Sequence, residues 1–255
     1  MKHSSPTAVI FAGPSLPPAV RPSGPALPWR PPVKQGEVYR AALTRPAIIG
    51  IIDGYFEVTP TVWHKEILWA MTQGIHVYGA ASIGALRAAE LDTFGMKGIG
   101  RIYEDFRDGV LEDDDEVAVL HGPAELGYPP LTEAMVNIGA TLAAAISAGI
   151  LSAALSAELT AIAKALFYKE RTYRSMLERA ASAGLDTARL VRLSDWLPQG
   201  RVDRKRLDAL AMLDAIRAHH AAGSDQLPVT YKVAETVAWQ AACQRAEIEP
   251  GQGSE

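Results

Sequence analysis

Four short apolar runs stand out in the first half of the chain. Each contains β-branched residues and ends in turn-forming or small residues, a pattern typical of buried strands in a parallel sheet. The pattern predicts strands at Ala8–Ala12, Ala47–Ile52, Ile75–Tyr78 and Val117–Leu120.

Amphipathic segments lie between these runs. A helix is predicted from about Thr61 to Gln73, because Thr59-Pro60 is a favourable start and Gly74 a favourable stop. A second helix is predicted from Ser82 to about Asp92, and a short third one near Ile99–Arg107. This alternation predicts an α/β fold with a Rossmann-like, mainly parallel sheet of about four or more strands flanked by helices.

Two stretches break the alternation. Prolines crowd the segment after the first strand, which excludes a regular helix and predicts a surface loop at about residues 14–36. Beyond Thr132 the chain is alanine-rich with a 3.6-residue period, which predicts helices. We therefore expect an α/β core at residues 1–140 and a helical extension at 141–255 that packs on it and ends in disorder. The predicted helices of this half span about residues 132–149, 156–168, 172–183, 203–220 and 230–244.

Composition and charge narrow the classes of function. Hydrophobic residues make up 48% of the 255 residues, enough for a sizeable core. Lys and Arg total 25 against 29 Asp and Glu, so no excess positive charge is available for a nucleic-acid backbone. The single cysteine, Cys243, excludes an intrachain disulfide and fits a cytoplasmic location. No apolar run approaches the length of a membrane helix, so we expect neither nucleic acid nor membrane as a partner.

The carboxyl ends of parallel strands gather at one edge of a sheet, where α/β proteins bind ligands. The small and polar residues that follow the predicted strands are therefore candidates for a site. The candidates for substrate or oxyanion binding are Gly13, Pro14, Ser15, Gly54, Gly79, Ala80, Ala81, Ile83, Gly84 and Arg87, and those for catalysis are Asp53, His64, Glu66, Ser82 and His121.

Ser82 is the leading candidate for catalysis. It lies where a predicted strand turns into a helix, as the serine of a nucleophile elbow does, and the amides of Ile83 and Gly84 could stabilise an oxyanion. The segment nevertheless lacks the G-x-S-x-G spacing. Two other interpretations therefore stay open: a serine that caps the helix within a tight turn, and an anion-binding helix end.

Each of the other catalytic candidates has a structural alternative. Asp53 follows six apolar residues and is costly to bury unpaired, so it should orient a histidine or accept hydrogen bonds from turn amides. His64 could act as a base that Glu66 orients, although adjacent helical side chains diverge. His121, which precedes Gly-Pro, is either a second candidate base or a turn histidine bound to a backbone carbonyl.

The acidic run Asp113–Glu116 offers oxygen ligands of the kind that Mg²⁺ prefers. A solvated turn before a strand is the better interpretation, so we predict no metal site and no cofactor. The chain contains no HExxH, EF-hand, P-loop or GxGxxG motif. A nucleotide-dependent enzyme thereby lacks its usual sequence evidence.

Several segments together resemble the core of the TfuA-like family. The resemblance covers about residues 8–140, in order, and departs from the family pattern at Ile83 and Gly139, where the family has methionine and arginine. The loss of that arginine could alter how a partner docks. The matching segments are Phe11–Leu16, Ile51–Glu57, Val62–Leu68, Gly79–Glu90, Asp113–Val119, His121–Pro123 and Glu133–Asn137.

This resemblance implies a partner of YcaO-type enzymes, which activate a peptide backbone amide with ATP. TfuA-like proteins accompany these enzymes in the thioamidation of ribosomally made peptides, as in trifolitoxin production, or of a protein glycine. The implied activity is hydrolysis of the C-terminal thiocarboxylate on a ubiquitin-like sulfur carrier such as ThiS, with the sulfide passed to YcaO. Because Cys243 lies outside the matching segments, we expect the sulfur to leave the carrier directly.

Two other functions remain open at this stage. The first is a non-catalytic adaptor that binds and activates YcaO or channels sulfide. The second is a small-molecule or nucleotide-binding α/β enzyme that uses the same sheet edge. The proline-rich loop is a candidate docking site for the carrier's flexible tail, and the helical half is a candidate surface for YcaO or for a homo-oligomer.

Overall fold

A computed structural model describes most of the chain as two compact units. The first unit comprises Met1–Leu111 with Arg206–Glu255, and the second comprises Glu112–Lys205. The predicted disordered end, residues 250–255, lies outside the described residues. The described residues are 8–22, 27–57, 59–223 and 227–248.

All strands found in the described residues lie in the first unit. They are β1 (Ala8–Phe11), β2 (Trp29–Arg30), β3 (Ile48–Ile51), β4 (His76–Ala80) and β5 (Lys97–Ile99). The helices are α1 (Glu37–Leu43), α2 (His64–Thr72), α3 (Ile83–Leu91), α4 (Arg101–Arg107), α5 (Met135–Ser147), α6 (Ala153–Lys164), α7 (Tyr173–Ser182), α8 (Thr187–Gly200), α9 (Arg204–Ala222) and α10 (Val237–Ile248).

The five strands form one sheet in the order β2-β1-β3-β4-β5. Every neighbouring pair runs parallel. The predicted α/β fold with a mainly parallel sheet is therefore confirmed. The strand order reverses direction at β1, which pairs with β2 on one side and with β3 on the other.

Both faces of the sheet are covered, which explains why its central strands are apolar at consecutive positions. Along each strand, successive side chains point to opposite faces of the sheet. The residues that face α1, α2 and α3 are Val9, Phe11, Ile49, Ile51 and Val77. The residues that face α9 are Ala8, Ile10, Ile48, Tyr78 and Ala80.

Three of the four predicted strands are present, and the fourth is wrong. Val117–Leu120 has the apolar pattern of a strand but follows a 3₁₀ turn in the second unit. Its backbone bonds to side chains and to loop backbone instead of to a neighbouring strand. Lys205 donates to the carbonyl of Val117 over 2.6 Å, the Thr132 hydroxyl accepts from the amide of Leu120 over 2.7 Å, and the amide of Leu131 donates to the carbonyl of Leu120 over 2.8 Å. The sheet instead ends with β5, a short segment in which only Ile99 carries an apolar side chain.

The proline-rich segment is not entirely a loop. It contributes β2, whose Trp29 pairs with Ile10 of β1. The guanidinium of Arg21 lies 4.5 Å from the Trp29 ring centre and donates to the carbonyls of Leu16 and Ala12. Residues 23–26 of the predicted docking loop lie outside the described residues.

Four helices make up most of the second unit. Their core is built from apolar side chains such as Ile138, Leu142, Leu159, Met176 and Leu193. Three of these helices match predicted ones. The sequence pattern does not predict the fourth, α8. Its Pro198 has no backbone N–H to donate and lies inside the last turns of this helix. No helix in the described part of the chain combines the length and the apolar content needed to cross a bilayer.

Two glycines bring α3 against the sheet. A Cβ atom on Gly84 would lie 1.8 Å from the carbonyl oxygen of Ile51, and one on Gly79 would lie 2.0 Å from that of Gly84. Both distances are far below van der Waals contact, and the atoms met are backbone. Side chains at these positions would push α3 away from β3 and β4.

We expect Gly84→Ala to lower the free energy of unfolding by more than about 3 kcal/mol, because the backbone it meets cannot yield cheaply. Gly139, inside α5, has nothing within 4 Å of an added Cβ atom and is the matched control. We expect Gly139→Ala to raise stability by about 0.5–1 kcal/mol through its higher helix propensity. Urea unfolding of the three proteins checks this, and equal effects of the two changes would contradict it.

Candidate functional site

The strand order indicates which crevice of the sheet would bind a ligand. In parallel α/β sheets, ligands bind beyond the carboxyl ends of the strands at the point where the strand order reverses. Here that point lies between β1 and β3. The turn after β1 carries Gly13 and Ser15, and the turn after β3 carries Asp53 and Gly54.

Asp53 joins these two turns. One carboxylate oxygen, Oδ2, accepts hydrogen bonds from the amides of Gly13 and Ser15 at 2.8 and 3.0 Å. The other, Oδ1, accepts from the Ser15 hydroxyl at 2.6 Å. Asp53 is only 1% exposed, so these three donors replace its hydration. We call this arrangement the Asp53 clasp. It realises the turn-amide alternative for Asp53, and its hydrogen bonds run to the β1 turn instead of to a histidine.

Ser82 lies on a strained turn between β4 and α3. Its amide donates to the carbonyl of Ala80 over 2.8 Å, which closes a three-residue turn around Ala81. Ala81 has φ of +68°, a left-handed conformation that costs a residue with a side chain about 1–2 kcal/mol. Strain of this kind at a buried turn is typical of functional sites.

The Ser82 turn is packed against the turn after β3. The amide of Gly84 donates to the carbonyl of Ile52 over 3.3 Å, so this proposed oxyanion donor holds α3 to the sheet. A Cβ atom on Gly54 would lie 2.7 Å from the Ile83 side chain, which shows how closely α3 begins beside Asp53 and Gly54. The structure therefore brings the Ser82 turn and the Asp53 clasp to the same part of the sheet edge.

Ser82 is in the N-cap position of α3 but does not act as its cap. Its side chain accepts no hydrogen bond from the first amides of the helix within the described residues. Ser152, the N-cap of α6, does cap in the usual way and accepts from the amide of Leu155 over 3.2 Å. The contrast weakens the interpretation of Ser82 as a capping serine.

His64 belongs to a group of charged residues on α2 and α3. Its Nε2 lies 2.8 Å from Oε2 of Glu90, and the same oxygen accepts from Arg87 at 2.6 Å. Burial acts to raise the pKa of Glu90, but the hydrogen bond with His64 and the charge of Arg87 outweigh it and hold that pKa below its ordinary value. Arg87, itself buried, also donates to the carbonyl of Val62 over 3.2 Å.

This pairing places His64 beside the last turn of α3, whereas Ser82 precedes the first turn. Eight residues of helix separate Ser82 from Glu90, about 12 Å at a rise of about 1.5 Å per residue. His64 and Glu90 form a carboxylate–imidazole pair suited to proton transfer. In this arrangement the pair lies well beyond direct hydrogen-bond distance of the Ser82 backbone.

Glu66 holds helices together instead of orienting His64. It is 1% exposed, and its carboxylate accepts from the amides of Trp63 and Tyr39 over 3.2 and 3.4 Å. Burial raises the pKa of Glu66, although hydrogen bonds from backbone amides, that of Gly36 first among them, work in the opposite direction. Its carboxylate therefore connects the start of α1 to the start of α2.

His121 belongs to the second unit. Its Nδ1 lies 2.8 Å from the carbonyl oxygen of Gly122, and its ring makes an edge contact with Tyr128 at 5.7 Å between ring centres. This is the turn geometry that the sequence allowed as an alternative.

Basic side chains neutralise the acidic run. Asp113, Asp115 and Glu116 lie close enough together to hold a metal ion. The ammonium group of Lys164 already binds all three, with distances of 2.8 Å to Glu116 and 3.1 Å to Asp113. Arg171, which is fully buried, donates to Asp115 over 2.6 Å. The cluster is therefore an internal ion-pair network that fixes the turn, and a cation there would have to displace Lys164.

Three residues that pair with the predicted site residues or with the acidic run were not identified from the sequence. Glu90 stands three residues after Arg87, a spacing that favours an ion pair on a helix, and this signal could have identified it. Lys164 and Arg171 gave no such signal, because their acidic partners lie about 50 residues earlier in the chain.

The fold and the site define the class of protein: a parallel α/β protein with a serine-bearing turn beside the crevice where strand order reverses. The model of the TfuA-like protein family matches residues 53–172, so this segment of the chain belongs to that family. The match begins at Asp53, includes Ser82, His64 and His121, and ends one residue after Arg171. It supports a role associated with YcaO-dependent thioamidation. A search of curated proteins found no match.

We expect Asp53→Asn to cost only about 1–2 kcal/mol of unfolding free energy, because the amide oxygen can accept both backbone bonds while its NH₂ donates to Ser15. Asp53→Ala leaves the buried amides of Gly13 and Ser15 without acceptors and should cost about 3–5 kcal/mol. Denaturant unfolding of both variants is the measurement. Equal losses in the two variants would contradict this and show that charge, which both variants remove, holds the clasp more than hydrogen-bond geometry does.

Proposed function

We propose that this protein is a YcaO partner that hydrolyses the C-terminal thiocarboxylate of a ThiS-like sulfur carrier and releases sulfide for ATP-dependent backbone thioamidation. Membership of the TfuA-like family supports the setting. One observation carries the catalytic part: Ser82 occupies a helix N-cap at the sheet edge, on a strained turn, without capping that helix.

The reaction needs three groups from the protein. A thiocarboxylate is a resonance-stabilised anion, so its carbon accepts a nucleophile only if the developing charge is stabilised. In this proposal Ser82 loses its proton to a base and its Oγ attacks the carbon. The tetrahedral intermediate breaks its C–S bond, and the sulfur takes the proton from the base and leaves as hydrosulfide. Water then attacks the acyl-serine: its hydroxyl goes to the acyl carbon, one of its protons restores the Ser82 hydroxyl, and the carboxylic acid formed loses its proton to solvent and leaves the carrier with an ordinary carboxylate.

The amide of Ile83 is the proposed oxyanion donor. It is the first amide of α3, at the positive end of the helix dipole. The amide of Gly84 bonds to Ile52, so it is less suited to this role. Gly54 lies directly under the Ile83 side chain, so the turn after β3 packs closely beside this amide. The small residues at 79–81 and at 84 are buried at the same junction and let the two turns approach each other.

A non-catalytic adaptor is the second candidate, and specific contacts favour it. Asp53 bonds to the β1 turn, Glu66 to the starts of two helices, and His64 to Glu90. A contribution to the stability of the fold is therefore enough to account for the presence of these three catalytic candidates. An adaptor would bind YcaO and raise its rate with free sulfide, but would leave a thiocarboxylated carrier intact.

The test uses the full chain with a thiocarboxylated ThiS-like carrier, with and without YcaO. We expect sulfide release together with a carrier mass in which oxygen has replaced sulfur. Ser82→Ala should lower the rate at least about 100-fold, because it removes the nucleophile. Ser152→Ala is the matched control, since it removes a serine from the N-cap of α6 without touching the sheet edge. A full rate in folded Ser82→Ala would exclude Ser82 as nucleophile. No release in any mixture that still binds YcaO would favour the adaptor.

The identity of the base follows from pH profiles. A histidine that accepts the Ser82 proton makes the rate fall as pH drops below its pKa. Because the His64–Glu90 pair lies beyond direct hydrogen-bond distance of Ser82, His64 would have to act through the substrate or a water molecule. We expect the acidic limb to disappear, with a rate at least about tenfold lower, in either His64→Gln or His121→Gln but not in both. His220→Gln, an exposed change on α9, is the control. An unchanged limb in both variants would exclude both histidines.

A further inference from the structure

A pocket in the first unit is separate from the Ser82 turn. It lies between the start of α1, the loop before α2, and α10, and encloses about 500 Å³, a volume typical of small-molecule sites. Neither the Asp53 clasp nor the Ser82 turn contributes to its wall. The lining residues are Lys34, Gln35, Gly36, Thr59, Pro60, Ala242, Arg245 and Ala246.

Among the described residues, the lining carries two positive charges and no negative one. Its ionisable residues there are Lys34 and Arg245, and neither side chain forms an ion pair or hydrogen bond with a described residue. The neighbouring Arg40 shows the contrast: it binds Glu37 and donates to the carbonyl of Ala246 over 2.9 Å. In a chain of net charge −4, two unpaired cations around one cavity require an explanation.

The walls of the pocket are fixed before any ligand binds. Trp239 of α10, only 3% exposed, packs against Tyr39 and Trp69 with ring centres 5.7 and 6.3 Å away. The hydroxyl of Tyr39 donates to Glu247 over 2.8 Å. On the opposite wall, the amide of Gln35 donates to the carbonyl of Pro60 over 2.9 Å. Because these contacts already hold α10 in place, binding would cost little ordering.

A neutral polar atom beside the pocket also lacks a partner. The hydroxyl oxygen of Thr59 is enclosed and makes no hydrogen bond within the described part of the chain. Enclosed polar atoms are nearly always satisfied in folded proteins, so this one suggests a missing donor or acceptor. Among the lining side chains, those of Gln35 and Thr59 offer neutral hydrogen bonds next to the two cations.

We propose that this pocket binds an oxyanion, the phosphate or carboxylate group of a small ligand, through Lys34 and Arg245. Guanidinium and ammonium groups are the usual partners of both anions. The binding does not require the thiocarboxylate hydrolysis proposed above. The pocket is nevertheless linked by backbone hydrogen bonds to the turn that carries Asp53. The amide of Val33, next to Lys34, donates to the carbonyl of Asp53 over 2.8 Å, and the carbonyl of Val33 accepts from the amide of Tyr55 over 3.1 Å.

The test is calorimetric titration of the full chain with inorganic phosphate, with acetyl-Gly-Gly, and with acetyl-Gly-Gly amide. We expect saturable one-to-one binding of phosphate or of the free carboxylate, but not of the amide. The anion that binds shows which of the two sources fits the pocket. Affinity should fall at least about tenfold in the double variant Lys34→Gln/Arg245→Gln and should weaken with added salt.

Two further variants make the result decisive. Arg192→Gln removes an exposed cation from α8 and should leave binding unchanged. Ala242→Leu fills the pocket without altering its charge and should also weaken binding at least about tenfold. Thermal unfolding of each variant establishes that it is folded. The proposal is overturned if neither anion binds saturably, or if the double variant and folded Ala242→Leu both bind as the native protein does.

Discussion

The hydrogen bonds of Asp53 set the geometry on which the sheet edge depends. A carboxyl group that is 1% exposed is costly to bury unless hydrogen-bond donors replace water, and here the donors come from the turn after a different strand. Satisfying one buried charge thereby fixes the relative position of two turns. Gly54 follows immediately, and α3 begins against it through Ile83. The position of Ser82 therefore depends on hydrogen bonds made by a neighbouring turn.

The sequence predicted those parts of the fold that depend on local pattern. Strands with both faces buried give a long apolar signal, and Asp53, Ser15 and Ser82 were found because strand ends share an edge. Val117–Leu120 gave the same signal, but its backbone is satisfied by Lys205, Thr132 and Leu131, which follow it in the chain, and no local sequence pattern shows that they will do so. The pairing of His64 with Glu90 was likewise hidden, because it depends on how two helices pack.

Family membership and site geometry constrain different parts of the function. The family match supports the association with thioamidation. The geometry constrains the catalytic groups. Asp53 and Glu66 accept hydrogen bonds from backbone amides that stabilise the fold, whereas Ser82 lies at the sheet edge and does not cap α3. A serine at a strained turn is costly to keep, and such strain is usually found where function requires it. The hydrolase and adaptor proposals thus differ chiefly in what Ser82 does.

The division of the chain into units has a consequence for how the protein is made. The second unit, Glu112–Lys205, is one uninterrupted stretch, whereas the first is assembled from both ends of the chain. One face of its sheet is covered by Ala209, Met212, Leu213 and Ile216 of α9. A ribosome delivers these residues only after the whole second unit has been synthesised. The nascent sheet must therefore wait with an apolar face uncovered, and this interval is when aggregation or chaperone binding would compete with folding.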